Sequence, residues 1–158
     1  MKFLSDSLSI SGNYSEIETF DLANIIAKNM KICDVITLEG EIGAGKTHLV
    51  RNIIQALLSE KTTITSPTFT LVQCYNVANI PLWHFDLYRL HSESELENLG
   101  LEESLNSAIT IIEWPEIAEL YLNKTPRLHI KISEIPAQPN LRNYQFYAEQ
   151  SWQERIGK

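Results

Sequence analysis

A chain of 158 residues and 18.1 kDa is long enough to bury a real core and too short for two comfortable ones, so a single unit over residues 1–158 is expected. Its 44% hydrophobic and 21% charged residues exclude a disordered or fibrous chain. Thirteen basic residues against 20 acidic ones give a net charge of −7, which counts against a stand-alone nucleic-acid binder, because phosphate-backbone binding needs a basic face.

The first residues, Met1 to Asp6, hold no sustained apolar run and reach an acid early. No uncharged stretch approaches the ~20 apolar residues of a membrane span. A soluble, cytoplasmic protein without membrane contact is expected. Cys33 and Cys74 lie far apart with no C-x-x-C partner and are expected to be free, buried thiols of a reducing compartment.

In chain order, Lys2 to Ile10 alternates weakly and is a candidate edge strand. Ser15-Glu16-Ile17-Glu18 has the form of a capping box, and Ile17, Phe20, Ala23, Ile26 and Ala27 then recur at helical spacing to about Met30. Val35-Ile36-Thr37-Leu38 reads as a buried strand. It runs into a segment holding three of the chain's six glycines, Gly40, Gly43 and Gly45. Leu49, Val50, Ile53, Ile54, Leu57 and Leu58 restore helical spacing. Ser66-Pro67 breaks regularity, and Thr68 to Val77 is read as a strand. Leu82 to Phe85 is another, ending at Asp86. Ser92-Glu93-Ser94-Glu95 opens a short acidic helix that Gly100 is expected to end. Ala108 to Ile112 is the most apolar strand, ending at Glu113-Trp114-Pro115. Arg127 to Ser133 and Tyr144 to Ala148 complete the list. Strands alternating with helices predict an α/β sheet, mostly parallel in its middle.

Gly40-Glu41-Ile42-Gly43-Ala44-Gly45-Lys46-Thr47 satisfies G-x-x-x-x-G-K-[ST] between a strand and a helix. Glycines let successive N–H groups curl around a phosphate, and the following helix adds its unpaired N–H groups and the positive end of its dipole. Lys46 can reach the β- and γ-phosphates, and the Thr47 hydroxyl can ligate Mg²⁺. A dinucleotide fingerprint fails, because its third glycine falls at His48. The nucleotide-binding segment is therefore Gly40 through His48. Such a site needs an acid at a neighbouring strand end. Of four aspartates, only Asp86 follows Lys46, and it ends a strand. Glu113 is the rival, and the two can divide the work: Asp86 with Thr47 on the metal, Glu113 orienting or deprotonating the attacking water. Trp114 is either a core or rim aromatic or a platform for the base. His84 is read as a packed or hydrogen-bonded histidine. Ser66 and Thr68 can sense the γ-phosphate or simply form a turn.

Guanine recognition through N-K-x-D fails at Asn123-Lys124-Thr125-Pro126, and no D-x-x-G occurs, so an adenine nucleotide is favoured. The five arginines form no cluster that could serve as a kinase lid. Hydrolysis or nucleotide-controlled association is favoured over phosphoryl transfer, with a small P-loop kinase acting on a metabolite as the alternative.

The P-loop with Ser66-Pro67-Thr68-Phe69-Thr70-Leu71-Val72, His84-Phe85-Asp86-Leu87-Tyr88-Arg89-Leu90 and Ile112-Glu113-Trp114-Pro115-Glu116 closely resembles the TsaE (YjeE) family of small bacterial P-loop ATPases. The resemblance covers roughly Glu18 to Glu116 and is poor in the C-terminal third. It implies a P-loop NTPase-like fold, a parallel sheet with antiparallel strands beside it and helices around it. It also implies ATP and Mg²⁺ as cofactors, and a part in threonylcarbamoyl modification of the tRNA adenosine next to the anticodon. The implied partner is a TsaD–TsaB heterodimer, with tRNA met through the complex. Lys46 and Thr47 match the family's phosphate and magnesium residues, Asp86 its metal-shell acid, and Glu113-Trp114 its catalytic-region pair. Glu41 stands where many members carry Asp, and His48 where Thr is more usual; neither change removes a reacting group.

Overall fold

The computed structural model describes residues 8–58, 60 and 62–156. The elements are β1 (Leu8–Tyr14), α1 (Glu16–Asn29), β2 (Val35–Glu39), α2 (Lys46–Leu57), β3 (Val72–Val77), β4 (Ile80–Asp86), α3 (Ser94–Glu97), α4 (Leu101–Ser107), β5 (Ile109–Glu113), α5 (Glu119–Leu122), β6 (Leu128–Glu134), β7 (Arg142–Ala148) and α6 (Gln150–Ile156). One seven-stranded sheet has the order β1-β7-β6-β2-β5-β4-β3. The β6, β2, β5 and β4 strands are parallel, β7 and β3 run antiparallel to their neighbours, and β1 pairs antiparallel with β7. This is the mixed sheet expected, with its parallel strands in the middle.

Alternation along the strands sorts the core into two layers. Ile36, Leu38, Leu82, Ile109, Ile111, Leu128 and Ile130 pack with Ala23 and Ile26 of α1, Leu49 and Ile53 of α2, and Trp152 of α6. Val35, Phe85 and Ile112 face the other way, onto Leu96, Leu101, Ala118 and Leu122. The sheet thus lies between α1, α2 and α6 on one face and the shorter helices on the other. The chain leaves β5 on one side of β2 and returns as β6 on the other, so the crevice beyond the carboxyl end of β2 is a topological switch point. The glycine-rich loop begins there.

The α1 start forms as its sequence predicts. Ser15 is the N-cap, accepting from Glu18 N–H, and the Glu18 carboxylate accepts the Ser15 N–H at 2.8 Å. Several other expectations change. Of the Lys2–Ile10 strand, residues 2–7 lie outside the described residues, and the edge strand runs on to Tyr14. The Thr68–Val77 strand starts only at Val72, because residues 67–70 form a turn closed by Leu71 N–H on Pro67 O at 2.6 Å. Gly100 directly precedes α4, a helix separate from α3. Both cysteines are free as expected, but both are exposed, Cys33 in a turn and Cys74 on the edge strand β3. β3 and β4 meet in a two-residue turn in which Ala78 and Asn79 both have positive φ, the backbone that suits the twist of a tight hairpin.

Below the loop, His129 of β6 is buried between Thr37 Oγ1, 2.9 Å from its Nδ1, and Glu39, 3.3 Å from its Nε2; Glu39 also pairs with Lys131 at 2.8 Å. Burial pushes His129 down to about 4, against the opposing pull of Glu39. Its folded value lies below its unfolded one, so the folded state refuses a proton that the unfolded chain accepts. Stability is therefore full above about pH 6.5 and falls as the pH drops toward 4, by at most ~3 kcal/mol. His129→Gln should flatten that part of the profile in denaturant melts at pH 7 and pH 4.5; an equal fall in both chains would contradict this origin.

Candidate functional site

The loop after β2 is shaped by its glycines. Gly40 has φ +150°, and a Cβ there would stand 2.3 Å from the Ile132 carbonyl oxygen of β6. Gly40→Ala should cost on the order of 2–4 kcal/mol, read as a lowered denaturation midpoint; an unshifted midpoint would contradict the close approach. Gly43 and Gly45 also hold positive φ, but a Cβ on either would meet nothing within 4 Å. It would project into open space, so the loop is a cradle that side chains would fill. The α2 helix starts at Lys46 with Gly45 as N-cap, no side-chain cap and no acid in its first turn. Its first N–H groups and the positive end of its dipole are therefore left uncapped by the helix's own side chains.

Lys46 is buried, and its Nζ donates to the carbonyls of Gly40 at 2.6 Å and Glu41 at 2.8 Å. Burial pulls this ammonium below its usual range, while Glu113, Asp86, Glu116 and Glu41 favour its charge. Nζ also lies 3.9 Å from the centre of the Trp114 ring, a cation–π contact, and Tyr88 packs on the same ring at 4.8 Å.

The two acids arrive by register. Asp86 is paired with Glu113 across β4 and β5, and both follow the alternation of Leu82 and of Ile109 and Ile111, so both project on the α2 side. Glu113 is 1% exposed; its Oε2 accepts from Thr47 Oγ1 at 2.8 Å, and its Oε1 lies 2.8 Å from His84 Nε2. Asp86 is also buried; its Oδ2 accepts from Thr68 Oγ1 at 3.0 Å and its Oδ1 from the Tyr88 N–H at 3.2 Å. Thr68 is in turn 2.7 Å from Ser66. Two bulky residues here carry left-handed backbone, Leu71 at φ 65° and Trp114 at φ 59°. Each such position costs ~1–3 kcal/mol and is held by its surroundings: Leu71 O accepts from Asp86 N–H, and Trp114 N–H donates to Leu38 O of β2.

A cavity of about 610 Å³ opens on the loop between the start of α1 and the β6–β7 connection, lined by Tyr14, Gly43, Gly45, His48, Asn140 and Arg142. Trp114 is not part of its wall. Tyr14 and Arg142 come from distant parts of the sequence and are brought together as partners across β1 and β7. No spacing signal could have found them.

Among the described residues, no cluster of three or more His, Cys, Asp or Glu could hold a metal by itself. The oxygen donors at hand, the Thr47 hydroxyl and the Asp86 and Glu113 carboxylates, suit Mg²⁺, which binds through one or two carboxylates, water and substrate phosphates. The structure thus brings Lys46, Thr47, Asp86, Glu113 and Trp114 to one strand-end crevice. Thr47 meets Glu113, and Asp86 is engaged with Thr68 and the Tyr88 amide. His84 is buried and hydrogen-bonded, as its sequence reading has it, and its partner is Glu113. The i, i+2 spacing of His84 and Asp86 on one strand was the available signal that both face the site.

The family model described as threonylcarbamoyl adenosine biosynthesis protein TsaE matches residues 13–142. A tRNA threonylcarbamoyladenosine biosynthesis protein TsaE of Rickettsia conorii is 42% identical over 121 residues, 77% of this chain and 69% of the relative. The Bacillus subtilis protein of the same name is 39% identical over 116 residues, 73% and 71% of the two chains. The crystal structure of Bacillus subtilis YdiB superposes with a TM-score of 0.74 at 28% identity, covering 98% of this chain and 95% of that one. The match to the family extends beyond the Glu18–Glu116 span legible from motifs, at both ends.

Proposed function

Since the chain belongs to the TsaE family of tRNA threonylcarbamoyladenosine biosynthesis proteins, we propose that it is the ATP-binding and ATP-hydrolysing subunit of that modification, acting with a TsaD–TsaB heterodimer. The observation that carries this reading is the contact of Thr47 with Glu113 at the mouth of a complete phosphate loop. The N–H groups of the loop and of the first turn of α2 bind the β- and γ-phosphates, and Lys46 exchanges its two carbonyl partners for phosphate oxygens. Thr47 and Asp86 would hold Mg²⁺, which supplies charge neutralisation at the phosphates when bound. Glu113 orients the attacking water and takes its proton as oxygen bonds to the γ-phosphorus and the bond to the β–γ bridging oxygen breaks. The nucleoside occupies the cavity beside His48, Tyr14 and Arg142, while Trp114 guards the phosphate lysine.

The arginines support hydrolysis over a metabolite kinase. Arg155 is paired with Asp34 at 2.6 Å, Arg89 stacks on Phe69, and Arg127 is buried against the Leu122 carbonyl. No set of them converges on the loop. Among the described residues no helix is long and apolar enough to cross a membrane. The net charge of −7 supports a reading in which the partners supply most of the RNA-holding surface.

Trp114 gives a direct test of binding. With Trp83 and Trp152 replaced by Phe, Mg·ATP should change Trp114 emission as Lys46 leaves the ring face. Unchanged emission, with no heat of binding by calorimetry, would overturn the nucleotide site.

A further inference from the structure

We propose that His84 is the positioning residue of Glu113, donating from Nε2 to hold the carboxylate with Oε2 turned to Thr47. The inference deepens the ATPase reading and rests on it for its catalytic consequence. Three elements converge on one carboxylate: α2 through Thr47, β5 through Glu113 itself and β4 through His84. His84 is fully buried, with its Nε2 2.8 Å from Oε1, while Thr47 Oγ1 donates to Oε2 at 2.8 Å. An ionised carboxylate only accepts, so Nε2 must carry the proton. The other tautomer would set the Nε2 lone pair against the carboxylate oxygen.

The opposite ring nitrogen identifies what the histidine is for. Nδ1 is buried with no hydrogen-bond partner among the described residues. A histidine kept for packing alone would be outdone by Leu or Phe, which bury no unsatisfied polar atom. The ring is stiffened by its place in the sheet, with Gln73 and Ile111 as its neighbours across β3 and β5. It reaches Glu113 diagonally, two residues beyond its register partner. Glu113 closes β5 just before the left-handed turn at Trp114. A flexible carboxylate at a strand end, fixed by donors on both oxygens, loses its rotamer freedom before substrate arrives.

The test uses the full chain with His84→Leu, His84→Gln and His84→Asn. A Gln amide nitrogen can stand where Nε2 stands; an Asn nitrogen mimics Nδ1 and falls short of Glu113. With the TsaD–TsaB heterodimer present, His84→Leu and His84→Asn should lower kcat about 10- to 100-fold with ATP affinity held within about threefold, and His84→Gln should recover most of the rate. Thermal melts establish that the three variants are folded, and His84→Leu should melt below the parent, because it strips a buried carboxylate of one of its two donors. In the nucleotide-free parent, ¹⁵N NMR should show His84 protonated at Nε2, with that signal moved by Glu113→Gln. Equal kcat in parent and His84→Leu, equal loss in all three variants, or a proton on Nδ1 would each overturn the proposal. If the parent itself hydrolyses no ATP, the ATPase reading fails, and the NMR arm still decides whether His84 holds Glu113.

Discussion

Lys46→Ala should abolish measurable hydrolysis and weaken Mg·ATP binding by about 100-fold or more. The side chain places an ammonium at the cradle, held there by two carbonyls and the Trp114 ring. Charge-assisted bonds to phosphate contribute about 1.5–3 kcal/mol each, and Lys46 is positioned to make more than one. Its charge matters further in the transition state, where removing one preorganised donor costs about 10²–10³ in rate. The cradle amides remain, so weak binding survives. The fold should change little, because the lost bonds are to carbonyls at the surface of the crevice. Unchanged ATP affinity in a folded Lys46→Ala chain would show that the nucleotide binds elsewhere.

Glu113→Gln should slow hydrolysis by about 10²–10³ while leaving Mg·ATP affinity within a few-fold. Gln keeps the volume and can still accept from Thr47, but it cannot take a proton, and its NH₂ faces the donor of His84. Asp86→Asn should instead raise the Mg²⁺ concentration needed for half-maximal ATP binding, because an anionic oxygen beside Thr68 is replaced by a neutral amide. The Thr47–Glu113 bond puts Glu113 beside a residue of the metal site, so the two acids are told apart by the kcat loss of Glu113→Gln against the raised Mg²⁺ requirement of Asp86→Asn. Equal loss of binding in both variants would remove the division of roles. A Glu113→Gln chain turning over ATP at the parent rate would remove Glu113 from the chemistry.

Much of this site is legible because its parts are local in sequence. The loop is one contiguous motif between a β-branched run and a 3.6-residue repeat. Asp86 and Glu113 stand where strand patterns stop. What escaped depends on long-range pairing. Tyr14 and Arg142 meet only because β1 folds back onto β7, and no sequence spacing encodes that. The choice of Glu113 by Thr47 follows from β5, the direct neighbour of β2, while β4 lies one strand further out. Strand order decided it, and composition is blind to strand order. The exposure of Cys74 has a similar origin, since β3 lies at the sheet edge and the same residue on β2 would be buried. The turn before Val72 was hidden because Thr68 to Val77 has continuous strand propensity, which Pro67 and the left-handed Leu71 override.

On the function proposed, Lys46, Thr47 and Glu113 form a hydrolytic ATP site whose turnover serves tRNA threonylcarbamoylation. Its most direct measurement is phosphate release from Mg·ATP by the purified chain, alone and with a TsaD–TsaB heterodimer, beside Lys46→Ala. Slow release by the chain alone, a rise when the heterodimer is added and background release from Lys46→Ala in both arms is the expected result. Release that ignores the heterodimer and persists in Lys46→Ala, or no release in either arm, would contradict it.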